Sequence, residues 1–402
     1  AGEVPSAPAP PRAGGLPPRE PVVRVGIIVD SAAVDVSATT AFDVHAGDRT
    51  LASLPANEVV TFRAADGAIE AVRASGQQLP ASVSPVRIVA RGGGVVIGGR
   101  PYRGEAIVMP STGGGVTAVN VVDLERYLLG VVPREIGARP AGEIEAVKAQ
   151  AVAARTYAIG NLGGREQLGF DFYASVLDQV YGGAEAEDSI ASRAVAETRG
   201  EIITHDGRPI LAYYSSTCGG RTAAIEQSWP WRAPLPYLKS VSDIVPGSDS
   251  AYCSTSNRYR WDTTWTREQL VAVLGETLKQ YTGAASARAD PVEDIAIVDT
   301  NEAGRVTLRI TAGGQSYVVR ADSIRRVLRP PPGDALLNSS RISAVGLETA
   351  DGRVTGFEIS GGGWGHGIGM CQVGAMGRAR AGQTYREILT TYYTGTEIRR
   401  LY

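Results

Sequence analysis

Residues 121–160, VVDLERYLLGVVPREIGARPAGEIEAVKAQAVAARTYAIG, are the most helical text in a chain of 402 residues that otherwise reads as strands and turns. Asp123 suits an N-cap. Leu124, Tyr127, Leu128 and Val131 fall at i, i+3, i+4 and i+7, which gives one apolar helical face. Pro133 is expected to end that helix and to push Val132 toward extended geometry. Pro140 suits the first turn of a second helix, on which Ile144, Val147, Ala151, Ala154 and Ala158 form a narrow face of small side chains. Between the two patterns stands Glu135, flanked by Val131, Val132 and Ile136.

Upstream, short alternating runs separated by Gly pairs predict a β-rich region over residues 22–115. Gly-rich phosphate cradles need a following helix, and none is predicted there. Downstream, a helix is expected over 186–199, stopped by Gly200. Asp206-Gly207 then separates two β-prone runs, a strong hairpin signal. Residues 266–345 read as a helix followed by strands, a candidate insertion or subdomain within a region spanning 116–402. Thr384 and Glu387 form a capping box before the apolar face of Tyr385, Ile388, Leu389 and Tyr392. The fold class expected is α+β.

The formal net charge is -2, without the basic surface that nucleic-acid binding calls for. No apolar run reaches the roughly 18 residues needed to span a bilayer. Residues 1–21 are rich in Pro, Ala and Gly and cannot bury enough apolar surface to order themselves. They read as a disordered tether at the start of an exported protein. Export would favour one disulfide among Cys218, Cys253 and Cys371. Cys218–Cys253 is the preferred pair, since both lie in one turn-rich region, with Cys371 left over. Zinc is the competing reading. It is opposed by the three histidines, His45, His205 and His366, which lack ligand spacing to one another. No metal and no cofactor are expected.

Glu135 admits two readings. In a partly dry pocket, desolvation would disfavour its charged form and make it a general acid. On an exposed surface it would pair with Arg134 or Arg139 and contribute little. His366 lies among glycines that let the backbone turn sharply, and Trp364 offers a face on which a sugar could stack. Ser215 and Ser216 end a strand before Gly219-Gly220. No G-x-S-x-G elbow and no H-E-x-x-H are present, so serine hydrolase and zincin chemistry are not supported.

Five blocks, in order, resemble the stage II sporulation protein D family (the SpoIID/LytB domain). They are YLLGVVPREI with AVKAQAVAARTYA, then DQVYGG at 178–183, AYYSSTCGGRT at 212–222, PYLKSV at 236–241 and GWGHGIGMCQVGA at 363–375. The resemblance spans roughly 116–402 and implies an exported protein of the bacterial cell envelope with a SpoIID-type catalytic region and a substrate groove. It implies lytic transglycosylation of peptidoglycan, preferably of denuded glycan, with Glu135 as the catalytic acid. Other members are described as enhancers of a wall amidase, which makes glycan strands and an amidase the implied partners. Groove contacts carried over by position are Arg155, Tyr157, Gln179, Tyr181, Ser215, Ser216, His366 and Gln372. Some members carry a His/Cys metal cluster, but no histidine lies near Cys218 or Cys253 in this sequence, so no metal is carried over. The family commonly has Ser where this chain has Cys371. The 212–222 and 363–375 loops are expected to border Glu135.

Overall fold

The structure, a computed structural model, describes residues 18–402 except 285 and 352. The tether expected over 1–21 therefore falls mostly outside the described residues. The chain divides into two compact units. One runs to Leu211 and takes back Ile398–Tyr402; the other is Ala212–Glu397. The region read as 116–402 is thus divided at residue 211.

In the first unit the β-rich reading is met by two sheets. Seven strands lie in the order Phe172–Tyr173, Val22–Ser31, Val116–Asp123, Glu105–Pro110, Val86–Ala90, Phe42–Ala46, Arg49–Leu54. Five more lie in the order Ala68–Arg73, Val60–Ala65, Val34–Ala38, Val95–Ile97, Arg100–Tyr102. Alternation sets which side chains go inward: Val23 and Val25 are fully buried, as are Ala106 and Val108 on a neighbouring strand. Strand Val116–Asp123 leads directly into helix α1, Leu124–Ile136. Leu124, Tyr127, Leu128 and Val131 are all fully buried, as their spacing requires.

Two helix expectations need correction. Pro133 lies inside α1, which continues to Ile136. The proline removes one backbone donor, but burial of Val131, Val132 and Ile136 holds the last turn in place. Helix α2, Ile144–Gly160, does not bury a narrow face only: every residue from Ala149 to Ile159 is buried. Its many alanines let it sit in the middle of the unit, between α1, α3 (Ser189–Glu197) and strand Glu201–His205. Asp188 caps α3, its side chain accepting from the Ala191 N–H at 2.8 Å. The expected hairpin forms with Asp206 and Gly207 both at positive φ, 50° and 73°, as a type I′ turn demands.

The second unit contains α4 (Ile225–Ser228), α5 (Arg267–Thr282), α6 (Ile324–Val327), α7 (Gln372–Arg380) and α8 (Tyr385–Tyr392). One of its hydrophobic clusters runs from Trp261 to Ile359. It joins α5 to a sheet of Trp261–Thr266, Arg353–Gly361 and Ile342–Ala350, and to a meander of Val292–Thr300, Val306–Ala312 and Gln315–Arg320. This packed body extends beyond 266–345 at both ends. The capping box at Thr384 and Glu387 forms as expected.

Candidate active site

Because α1 passes through Pro133, Glu135 lies in its last turn and is half-buried. The segment carrying DQVYGG runs alongside the helix. The Gly182 N–H donates to the Gly130 carbonyl at 3.0 Å, and the Val180 N–H donates to Glu135 Oε1 at 2.7 Å. A backbone donor at this distance fixes the orientation of the carboxyl group. The surroundings are aromatic: Tyr127 packs on Tyr181 and Phe172 with ring centroids 4.9 and 5.8 Å away.

The other residues expected to line a groove in this unit support it from within. Arg155 is fully buried. Its Nε and Nη2 donate to the two Glu125 carboxylate oxygens at 2.8 and 2.7 Å, and Nη1 donates to the Glu201 carbonyl at 3.2 Å. Burial alone would raise Glu125, yet Arg155 holds it below the usual carboxylate range. The expectation that Arg155 meets a glycan is corrected, because its donors are spent on joining α1 to the segment after α3. Tyr157 is buried and donates to Asp178, which Arg165 grips at 2.9 and 3.0 Å. Gln179 is fully buried; it accepts from the Tyr127 hydroxyl and donates to the Ala154 carbonyl, each at 3.3 Å. Tyr181 is buried and donates to Asn120 at 2.9 Å. These three fix the wall on which Glu135 is mounted. The backbone N–H of Val180, which touches the acid, has no side-chain signal, and sequence reasoning missed it.

The remaining candidates belong to the second unit, where the 212–222 and 363–375 loops do meet. Tyr214–Ser215 pairs in parallel with Met370–Cys371, and Thr217 bridges Trp364. Ser216 is half-buried, whereas Ser215 and Gln372 are buried. His366 packs against Trp229 and Tyr213 with centroids 5.1 and 6.1 Å away, and keeps an accessible edge. Its Nδ1 accepts from the Ile368 N–H at 3.0 Å. Enclosure pushes its pKa down to about 4, against the pull of Asp322, so the ring is neutral at pH 7. Trp364 does not offer both faces: the Arg258 guanidinium lies 3.6 Å over its ring.

The cysteines also depart from expectation. Cys218, Cys253 and Cys371 are all free and buried. The Cys218 and Cys253 sulfurs are 3.6 Å apart, which is no disulfide. Cys371 joins them instead of being left over, and so does Asp243, with all four donor atoms within 4.8 Å of one another. Asp243, two residues beyond the PYLKSV block, was not singled out in the sequence.

An α+β protein with an oriented, half-buried carboxyl at a helix end, held by the backbone of the DQVYGG segment, is the class that fold and site define. The family model described as stage II sporulation protein matches residues 112–205. A model for a domain of unknown function matches residues 232–369. An uncharacterized protein of Brachyspira hyodysenteriae is 31% identical over 306 residues, which is 76% of this chain and 74% of that protein. Stage II sporulation protein D of Bacillus amyloliquefaciens is 30% identical over 303 residues, 70% of this chain and 75% of its own. The amidase enhancer of Bacillus subtilis is 30% identical over 305 residues, 67% of this chain but 40% of that protein. The chain belongs to the stage II sporulation protein D family. Among the described residues, no helix is long and apolar enough to cross a membrane.

Proposed function

We propose that this protein acts in the bacterial cell envelope as a peptidoglycan lytic transglycosylase, with Glu135 as its single acid and base. The observation that carries the reading is the oriented carboxyl: Glu135 accepts from the Val180 N–H at 2.7 Å, and both residues fall within the stretch 112–205 that the family model matches. Protonated Glu135 gives its proton to the oxygen linking N-acetylmuramic acid C1 to N-acetylglucosamine. The C1–O bond breaks. The muramoyl C6 hydroxyl then attacks C1 and surrenders its proton to the Glu135 carboxylate. One C–O bond is lost and one is gained, a 1,6-anhydro ring closes, and no water is consumed. The tethered nucleophile replaces the activated water of paired-carboxylate hydrolysis. Within the second unit, Ser216 and His366 are proposed as sugar contacts in their own right, with Ser215 and Gln372 supporting them. His366, neutral at pH 7, would act as a hydrogen-bonding group toward sugar hydroxyls.

A second reading rests on the amidase enhancer relative: a wall-binding module that stimulates a cell-wall amidase. One experiment separates the two. Denuded glycan strands are digested with wild type and Glu135→Gln, and the products are read by mass spectrometry. Gln keeps an oxygen to accept from Val180, so the variant retains its fold. Anhydromuramoyl ends from wild type, reduced by at least about 10²-fold in the variant, are expected. Reducing ends instead would mean hydrolysis. Silence from both, with wall binding and amidase stimulation retained, would sink the enzyme reading.

A further inference from the structure

We propose that Cys218, Asp243, Cys253 and Cys371 form a closed tetrahedral site for a structural zinc ion. The geometry is the first argument. Zn–S bonds of about 2.3 Å at tetrahedral angles put two sulfurs about 3.8 Å apart, and a sulfur and a carboxylate oxygen about 3.5 Å apart. The Cys218 and Cys253 sulfurs are separated by 3.6 Å. Cys218 Sγ and Asp243 Oδ2 are separated by 3.5 Å. Those are edges of the coordination tetrahedron, and the whole donor set fits within 4.8 Å.

The donor set is the second argument. Three thiols and a carboxylate select a borderline-soft divalent ion, and all four residues are fully buried, which leaves no open coordination position for catalysis. A buried cluster of this kind without a cation would set ionisable groups against one another in a dry interior.

The surrounding shell is the third argument. Asp243 Oδ1 accepts from the Tyr392 hydroxyl at 2.7 Å and from Arg378 Nε and Nη2 at 3.3 and 3.2 Å, which turns Oδ2 toward Cys218. Outer partners of this kind fix first ligands and offset their charge. Cys371 Sγ accepts from the backbone N–H groups of Cys218 and Gly374 at 3.2 and 3.3 Å, the second at the start of α7. Gly374 must be glycine here, because a Cβ would come within 2.5 Å of Asp243 Oδ2. The site would tie together four separate segments of the second unit, which makes metal affinity part of that unit's folding energy. Histidine is absent from it, so it differs in kind from the His/Cys cluster considered from the sequence.

The test uses the full chain, made with zinc under reducing conditions and without a metal-binding tag. Elemental analysis should give about one zinc per chain. Thiol titration of the denatured protein should give three thiols, all of them slow to react in the native protein until a chelator is added. Replacing zinc by cobalt should produce thiolate-to-metal charge transfer with the d–d bands of a tetrahedral ion. Cys371→Ser should reduce the charge-transfer intensity by about a third, one thiolate of three being lost. A Cys218–Cys253 disulfide found by mass mapping, with no bound metal, would overturn the proposal. So would three promptly reacting thiols at less than stoichiometric zinc. None of these readouts involves glycan cleavage, so they are independent of Glu135.

Discussion

Two acids on one helix show how much a single neighbour decides. Glu125 and Glu135 both belong to α1. Glu125 is buried against Arg155, Gly200 and Tyr402, and every one of those contacts favours its charged form. Glu135 is half-buried on a backbone N–H beside tyrosines. The first is tied into the interior, and the second keeps part of its side chain accessible. Removing one member of a buried ion pair leaves the other charge uncompensated, at a cost of about 3–5 kcal/mol. Arg155→Met is therefore expected to destabilise the protein by that amount in urea unfolding. If Arg155 were a glycan contact instead, stability would stay near wild type and only glycan affinity would fall.

At the scale of elements, the glycines of the helices separate packing from propensity. Gly130 lies within α1, where a Cβ would meet Tyr181 at 2.6 Å and the Gly183 carbonyl oxygen at 2.8 Å. Gly275 lies within α5, where a Cβ would meet only Ala289 at 4.0 Å. Alanine favours a helix over glycine by roughly 0.5–1 kcal/mol, while overpacking costs about 1–3 kcal/mol. Gly275→Ala is expected to raise the melting temperature and Gly130→Ala to lower it. A rise for both would mean that the 178–183 segment does not press on α1. That segment also marks the limit of what the sequence made legible. The face of Leu124, Tyr127, Leu128 and Val131 could be read from spacing, as could the Asp206-Gly207 turn, because both depend on local periodicity and backbone preference. The passage of α1 through Pro133 could not, since burial of Val132 and Ile136 by distant chain outweighs a local breaker. The inward roles of Arg155, Gln179 and Tyr181 were hidden for a similar reason. A block pattern reports that a residue type belongs at a position, but not which way it faces. Cys371 meets Cys218 across 153 residues of chain, a pairing that local pattern does not signal, and Asp243 carries no motif of its own although it lies 25 residues from Cys218.

At the scale of the whole molecule, one segment returns to the unit that holds the helical centre. Ile398–Tyr402 belongs to the first unit although the preceding 186 residues, Ala212–Glu397, form the other. The Tyr402 hydroxyl donates to Glu125 at 2.8 Å, and the Leu401 N–H donates to the Gly200 carbonyl at 2.9 Å. Arg400 meets Glu201 at 3.3 Å, but it is mostly exposed and contributes little. Gly200 allows this approach, since a Cβ there would lie 2.4 Å from the Tyr402 carbonyl oxygen. The last residues therefore complete the satisfaction of Glu125 and, through it, the seating of α1 beneath Glu135. A neutral hydrogen bond contributes about 1 kcal/mol and one to a charged group about 1.5–3 kcal/mol, so deleting residues 398–402 should cost on the order of 3 kcal/mol. Hydrogen exchange would localise that loss. Amides of α1 and α2 are expected to exchange about 10²-fold faster in the deleted protein, with amides of α5 unchanged. Equal acceleration in α1 and α5 would contradict a closure specific to the first unit. Unchanged α1 would mean that Arg155 and Gly200 satisfy Glu125 without the C-terminal tyrosine.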